Sequence, residues 1–240
     1  MRKKAVEVVQ YDSIITYFDE MNLLPSEKKK RIITARAFEK KAHEWLIGVF
    51  GDIKNGYFLH EKTDGEYVDD LIALYLAMME SVDKTAIYDT EVNAKATRFA
   101  NYVQQTNKNE VNSVDSENVQ FKSAVMLGIG IADELIPEWL RYSFGGDEWG
   151  NSRAERIATW ETNWIYNYLA HKKKVKDGQL THTWETMRDE KVRGTHALAD
   201  MQTVPINEPF TVGGYKLLFP TDDSLGAPAS ETCGCRCLEI

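Results

Sequence analysis

The residues best suited to chemistry lie close together in the run WETMRDEKVRGTH, residues 184–196. If a short helix covers 185–193, Asp189 and Arg193 stand four residues apart, so the carboxylate and the guanidinium meet on one face. His196 would follow on that face as an acid–base group or a metal ligand, provided that the glycine two residues before it does not end the helix. Because no activated nucleophile or paired carboxylate accompanies them, we interpret the three as an ion pair and a hydrogen-bonded histidine that brace the fold.

A second group of reactive side chains lies within the last eight residues: Cys233, Cys235 and Cys237. In an extended strand the three side chains would share one face, with neighbouring positions about 6.6 Å apart. Thiolates that share one zinc ion lie closer together than that, so zinc binding requires a turn at Gly234 and a fourth ligand, either His196 or His182. The alternative is a closing strand of reduced or partly oxidised thiols. An odd number of clustered cysteines favours a reducing compartment.

A third feature is the strongly basic segment 26–41, which holds seven Lys or Arg against two Glu. The cations that we single out for binding a partner are Lys28, Lys29, Lys30, Arg31 and Arg36. The chain as a whole has a formal net charge of −8, so this segment creates a local field of opposite sign. One explanation is a solvated helix face, and the other is an acidic partner, either a nucleic-acid backbone or an acidic protein surface.

Composition argues against several classes of protein. The chain has 240 residues, of which 43% are apolar and 28% charged, as in ordinary globular proteins. The net negative charge argues against a nucleic-acid coat. No apolar run approaches the roughly 20 residues that span a bilayer, and the first residues, MRKKAVEVVQYDS, lack the apolar region of a signal peptide, so we expect no membrane partner. No phosphate loop, dinucleotide fingerprint, H-E-x-x-H or G-x-S-x-G motif is present, and we expect no small-molecule substrate.

The elements that must position these residues change in character at Gly178. Apolar residues at helical spacing predict helices over 11–24, 26–49, 67–82, 86–105, 121–144 and 152–174, with a polar linker at 106–118. We expect the helix over 121–144 to bend or end near Pro137, because proline lacks a backbone donor. After Gly178 short β-type runs follow one another, and Gly213-Gly214 is typical of a hairpin turn. The sequence therefore predicts the α+β class, with a mainly helical N-terminal region, 1–150, and a small helix-plus-β-hairpin C-terminal segment.

The order of motifs in residues 151–240 adds a family resemblance. The motifs are Ile157-Ala158-Thr159-Trp160-Glu161, Trp184-x-Thr186-x-x-Asp189-x-x-Val192-Arg193-x-x-His196, Pro209-Phe210, Phe219-Pro220 and Cys235-Arg236-Cys237. This order resembles the phage minor head proteins similar to phage Mu protein F, also called head morphogenesis proteins. The chain departs from that pattern at Thr159 and Trp160, where the family tends to have Arg and Thr, and at Gly234, where it has Asn.

The resemblance implies a structural role rather than an enzymatic one. It implies a minor head protein inside the virion head, near the portal, that assists head assembly and DNA packaging or delivery and is present in the host cytoplasm during assembly. Its partners would be the portal or the major capsid protein, together with packaged DNA, and 1–150 would be the candidate region for binding them. The motif residues with a structural role would be Glu161, Trp184, Asp189, Arg193 and His196. No cofactor is implied, and zinc on Cys233, Cys235, Cys237 and His196 is the alternative that the residue types leave open.

Two functions of other classes compete with this one. A small metal-dependent hydrolase would use His196 and the C-terminal cysteines, with His182 and Asp189 beside them. Its weakness is that the sequence offers no acid–base carboxylate next to an open metal site. A DNA-binding accessory protein would instead use the basic helix 26–41.

Overall fold

The computed structural model describes residues 13–58, 64–114, 118–144 and 151–240. Its first helices are α1 (Ser13–Asp19), α2 (Pro25–Lys54), α3 (Asp64–Val82), α4 (Thr90–Asn112), α5 (Val119–Leu127), α6 (Glu138–Phe144) and α7 (Asn151–Lys176). After α7 follow β1 (Thr181–Glu185), α8 (Gly194–Ala199), β2 (Thr203–Pro205), β3 (Phe210–Val212), β4 (Tyr215–Leu217), α9 (Ala229–Thr232) and β5 (Leu238–Glu239). The predicted α+β class, with helices leading and strands after Gly178, is confirmed.

Two large apolar cores hold most of the described helices together, and a smaller cluster packs α1 against α2. The first lies among α2, α3, α4 and α7, and its centre is Trp164, which stacks on Tyr168 with ring centroids 4.9 Å apart. Phe219, from the chain after β4, packs edge-on against both rings. The second core joins the C-terminal half of α2 to α5 and α6. Because α7 packs against α2 and also contacts β5, the boundary predicted at residue 150 falls just before a helix that both parts of the chain share.

Two predicted element boundaries are wrong. The polar linker expected at 106–118 is helical as far as Asn112, because Asn107 and Val111 are buried and only the outward positions are exposed. The helix expected over 121–144, with a bend or end near Pro137, ends earlier: α5 stops at Gly128 in the left-handed conformation, and α6 starts only after Pro137. Composition alone did not separate an exposed loop from a helix with a polar outer face.

The strands form two small antiparallel sheets. One has the order β2-β1-β5, in which Thr181 pairs with Pro205 and Trp184 pairs with Glu239. The other is the predicted β3–β4 hairpin, and both turn glycines, Gly213 and Gly214, have the positive φ that such two-residue turns require.

The C-terminal segment (residues 233–240) runs alongside α7, and the spacing of its residues matches the spacing of buried polar side chains on that helix. Buried polar side chains recur every four residues on α7, at Asn163, Asn167 and His171, and we call these the polar stripe of α7. Asn163 donates to the Cys235 carbonyl (2.8 Å), and Asn167 reaches the Cys237 carbonyl at 3.5 Å. Four helical residues rise about 6.0 Å and two extended residues about 6.6 Å, so the polar stripe stays in step with every second residue of the C-terminal segment.

A buried relay continues this contact into α2. The Asn163 side chain that donates to Cys235 also accepts a hydrogen bond from the Arg31 guanidinium. Arg31 in turn pairs with Glu27 at 2.8 Å and lies over the Tyr166 ring. The side-chain amide of Asn163 therefore hydrogen-bonds to two buried groups, the Arg31 guanidinium and the Cys235 carbonyl.

We expect Asn163→Leu to lower the free energy of unfolding by about 3 kcal/mol, because it leaves the Arg31 guanidinium and the Cys235 carbonyl without this partner. The matched control is Asn101→Leu, at an exposed position inside α4, which should change stability by no more than about 0.5 kcal/mol. Urea unfolding measures both. Equal stabilities of the two variants would contradict the relay.

Candidate functional site

The motif between Trp184 and His196 does not form the predicted helix. Residues 186–193 are a turn, and Arg188 has a φ of 54°, which interrupts any helix. The predicted Asp189–Arg193 ion pair is therefore wrong. Asp189 instead accepts from the Arg236 guanidinium at 2.7 Å, and this contact lowers the pKa of the Asp189 carboxyl.

Arg193 and Gly194 also have different roles from those predicted. Arg193 occupies the N-cap position of α8 and donates to the carbonyl of Cys233. Gly194 begins α8 rather than ending a helix, and this short helix places His196 in its first turn. The motif thus connects β1 to the C-terminal segment, through Asp189 at one point and Arg193 at another.

His196 stands at the centre of a buried group of sulfur and nitrogen atoms. Its Nδ1 lies 3.4 Å from the Cys237 Sγ and 3.6 Å from the Cys235 Sγ. Its Nε2, on the other side of the ring, is 3.2 Å from a carboxylate oxygen of Glu231. The edge of the ring meets the buried Trp184, with centroids 5.6 Å apart. The structure therefore brings His196 together with two of the three cysteines.

The third cysteine points elsewhere because the chain turns at Gly234. This glycine has a φ of 67°, and a Cβ there would lie 3.4 Å from the Trp160 indole nitrogen. The turn sends the half-buried Cys233 towards a separate cavity of about 270 Å³, whose walls include Trp160 and Glu161. Burial raises the pKa of the Cys233 thiol. The predicted turn at Gly234 is present, but Cys233 does not share the group around His196.

The members of the sulfur–nitrogen group shift one another's pKa values. A hydrogen bond from Cys237, together with contact with His196, holds the pKa of Cys235 well below its usual range. The same bond raises the pKa of the Cys237 thiol. Burial lowers the pKa of His196, but its hydrogen bond to Cys235 outweighs that effect and the net shift is upward. The lowered pKa of Cys235 favours its thiolate form, and thiolates and an imidazole are donors that suit a metal ion such as zinc.

His182, the other predicted zinc ligand, belongs to a second buried group. Its Nδ1 lies 3.3 Å from a carboxylate oxygen of Glu239, and the Nδ1 of His171 is 3.1 Å from the same carboxylate. Lys174 donates to the Glu239 backbone carbonyl at 2.8 Å. Burial raises the pKa of Glu239, yet the two histidines and Lys174 outweigh it and lower the pKa to about 2.

Glu161, predicted as a structural motif residue, joins α7 to α4. It pairs with the buried Lys95 at 3.2 Å, and Lys95 also pairs with Asp223 at 2.9 Å. Burial raises the pKa of the Glu161 carboxyl in spite of the nearby ammonium. This group lines the same cavity as Cys233.

The basic face of α2 is smaller than the sequence predicted. Arg31 is only 2% exposed and lies inside the core, so its assignment to a partner-binding surface is wrong. Arg36 pairs with Glu39 at 2.8 Å, and Lys28 donates to the Asp19 carbonyl. The exposed cations near the N-terminus of α2 are Lys29 and Lys30.

Sequence patterns did not single out six residues of these groups: Glu231, His171, Glu239, Lys174, Lys95 and Asp223. The polar stripe of α7 would have revealed His171, because the stripe interrupts an otherwise apolar face at helical spacing. Glu231 and Glu239 have no local signal, since their partners are distant in sequence.

The chain matches no protein-family model, no curated protein and no solved structure. Across the described residues, the helices are too short or too polar to cross a membrane.

The depressed pKa of Glu239 predicts a loss of stability in acid. Its folded pKa of about 2 lies below the ordinary value of 4.5, so the ionised carboxylate stabilises the fold above about pH 4.5, and this contribution is lost as the pH falls towards 2. At pH 7 we expect Glu239→Gln to cost about 3 kcal/mol. Between pH 5 and pH 3 the variant should lose less stability than the parent chain.

Urea unfolding at several pH values measures this, with Glu208→Gln, an exposed site in the turn that follows β2, as the control. A Glu239→Gln variant with the pH dependence of the parent chain would show that the carboxylate is not held in this way.

Proposed function

We propose that the protein is a non-enzymatic minor head protein of a tailed phage or prophage, bound inside the head near the portal. In this role it assists head assembly and DNA packaging or delivery. The observation that carries the proposal is the order of the motifs in residues 151–240, from the Trp184–His196 run to Cys235-Arg236-Cys237.

Contacts among the motif residues support this proposal. Trp184 meets His196, Asp189 pairs with Arg236, and Arg193 donates to the C-terminal segment. Residues up to 47 positions apart are therefore in contact, and two of these three contacts hold the C-terminal segment in place. Contacts of this kind stabilise a fold, and they support a structural role for the motif.

The outward face of α2 is the surface that we propose for attachment. Lys29 and Lys30 are exposed there, and Ile33, one turn further along, is 59% exposed. Exposed apolar and cationic side chains on one face suit an acidic protein partner, such as the portal or the major capsid protein. Packaged DNA is the other acidic partner.

The competing proposal, a metal-dependent hydrolase, requires space for a substrate beside His196. The cavity beside His196, Cys235 and Cys237 has a volume of about 20 Å³. This is space for about one water molecule, whereas pockets for small-molecule ligands usually exceed about 300 Å³. The small cavity favours a structural role for these residues.

The proposal is tested in particles of the phage or prophage that encodes the chain. We expect the protein in purified heads, and we expect its deletion to reduce head assembly or DNA delivery. Heads purified before packaging separate the two partners, because a protein partner retains the chain there and DNA does not. Absence of the chain from particles, with normal assembly and delivery in the deletion strain, would contradict the proposal.

Charge reversal tests the attachment face. We expect Lys29→Glu combined with Lys30→Glu to reduce incorporation into heads several-fold, with little change in stability because both side chains are exposed. The control reverses Lys84 and Lys176, which are exposed cations elsewhere. Quantitative mass spectrometry of purified heads measures both. Equal incorporation of the two variants would exclude this face as the attachment site.

A further inference from the structure

Three soft donor atoms converge on one buried point between α8 and the C-terminal segment. They are the Nδ1 of His196 and the sulfurs of Cys235 and Cys237, and all lie within 4.8 Å of one another. A tetrahedral zinc ion with ordinary bond lengths holds a histidine nitrogen and a thiolate sulfur about 3.6 Å apart. The observed separations are 3.4 Å and 3.6 Å. The donor atoms are therefore already spaced as they would be around zinc.

We propose that His196, Cys235 and Cys237 bind one zinc ion, with its fourth position open to the small cavity beside them. Two thiolates and one neutral imidazole are a ligand set that zinc accepts with a water molecule as the fourth ligand. The cavity of about 20 Å³ is lined by these three residues and has room for about one water molecule. This site goes beyond the proposed head-protein function and does not depend on it.

The second nitrogen of His196 supports the assignment. Glu231 lies 3.2 Å from Nε2 and leaves Nδ1 facing the sulfurs. Histidines that bind metals usually place their other nitrogen on a carboxylate in this way, which fixes the ring and makes it a better donor. Glu231 is itself held by the Thr195 hydroxyl at 2.9 Å. The ring is therefore oriented for binding through Nδ1.

The backbone around the ligands is fixed by contacts that zinc would not disturb. The carbonyl of Cys235 accepts hydrogen bonds from Tyr17 (2.6 Å) and Asn163 (2.8 Å), and the turn at Gly234 sets the direction of the chain. The side chains of the three ligands are almost fully buried. Little conformational freedom of the ligands remains to be lost on binding, and this favours the binding of a metal ion.

Charge also favours this site over the second buried group. Around His171, His182 and Glu239 the Lys174 ammonium stands 3.7 Å from the carboxylate and would repel a divalent cation. Cations also line the cavity beside His196, namely Lys191, Arg193 and Arg236, but there two thiolates rather than one carboxylate balance the zinc charge. Each cysteine binds as thiolate, and any thiol proton is released to solvent when zinc enters.

Metal analysis of the full chain tests the proposal. After reconstitution with zinc and removal of the excess, we expect about one zinc ion per chain, and cobalt in its place should give thiolate-to-metal charge-transfer bands. Cys235→Ser and Cys237→Ser should lose both signals. Cys233→Ser is the matched control and should keep them, because its sulfur lies outside the group.

A variant that fails to fold does not remove the test, because the cobalt spectrum is measured on the parent chain. We also expect Glu231→Gln to weaken zinc binding about 10- to 100-fold in a chelator competition, since it removes the contact to Nε2 without removing a ligand. A parent chain without stoichiometric zinc or thiolate-to-cobalt bands would overturn the proposal and leave a hydrogen-bonded thiol–imidazole group. Loss of zinc in Cys233→Ser would overturn the ligand set.

Discussion

The fit between the polar stripe of α7 and the C-terminal segment is the contact on which the rest of the structure depends. Helix and extended chain advance at different rates per residue, but four residues of one nearly equal two of the other. Asn163 and His171 therefore meet Cys235 and Glu239 in register. The C-terminal segment also contacts α1, because Tyr17 donates to the Cys235 carbonyl, and β1, because Glu239 pairs with Trp184. It is the element that joins the helices to the sheet.

Burying charged groups in this core is tolerable because the charges are paired. Arg31 and Glu239 would each be costly in isolation, yet one is held by Glu27 and Asn163 and the other by two histidines. The same logic places the buried sulfur of Cys235 next to His196. Removing one member of such a group leaves the buried charge of the other unpaired. Each of these residues therefore depends on its partner for its place in the core.

The sequence predicted the elements well and the partners poorly. The helical periodicity of α2, α3 and α7 and the Gly213-Gly214 hairpin were recognisable because they depend on neighbours in the chain. Asp189 was assigned to Arg193 by local spacing, whereas its partner is Arg236, 47 residues away. The grouping of His196 with only two cysteines depended on the positive φ of Gly234. Such choices are made by tertiary contacts, which local patterns do not contain.

Native-state hydrogen exchange at the end of the C-terminal segment measures its role most directly. The Ile240 amide donates to the Thr183 carbonyl at 2.9 Å, and the Thr183 amide donates back at 2.8 Å. If this segment joins the two halves of the fold, both amides exchange only through global unfolding, with the same free energy of opening as the buried Tyr168 of α7. An opening free energy for Ile240 lower by more than about 2 kcal/mol would show that the segment frays independently and would contradict this account.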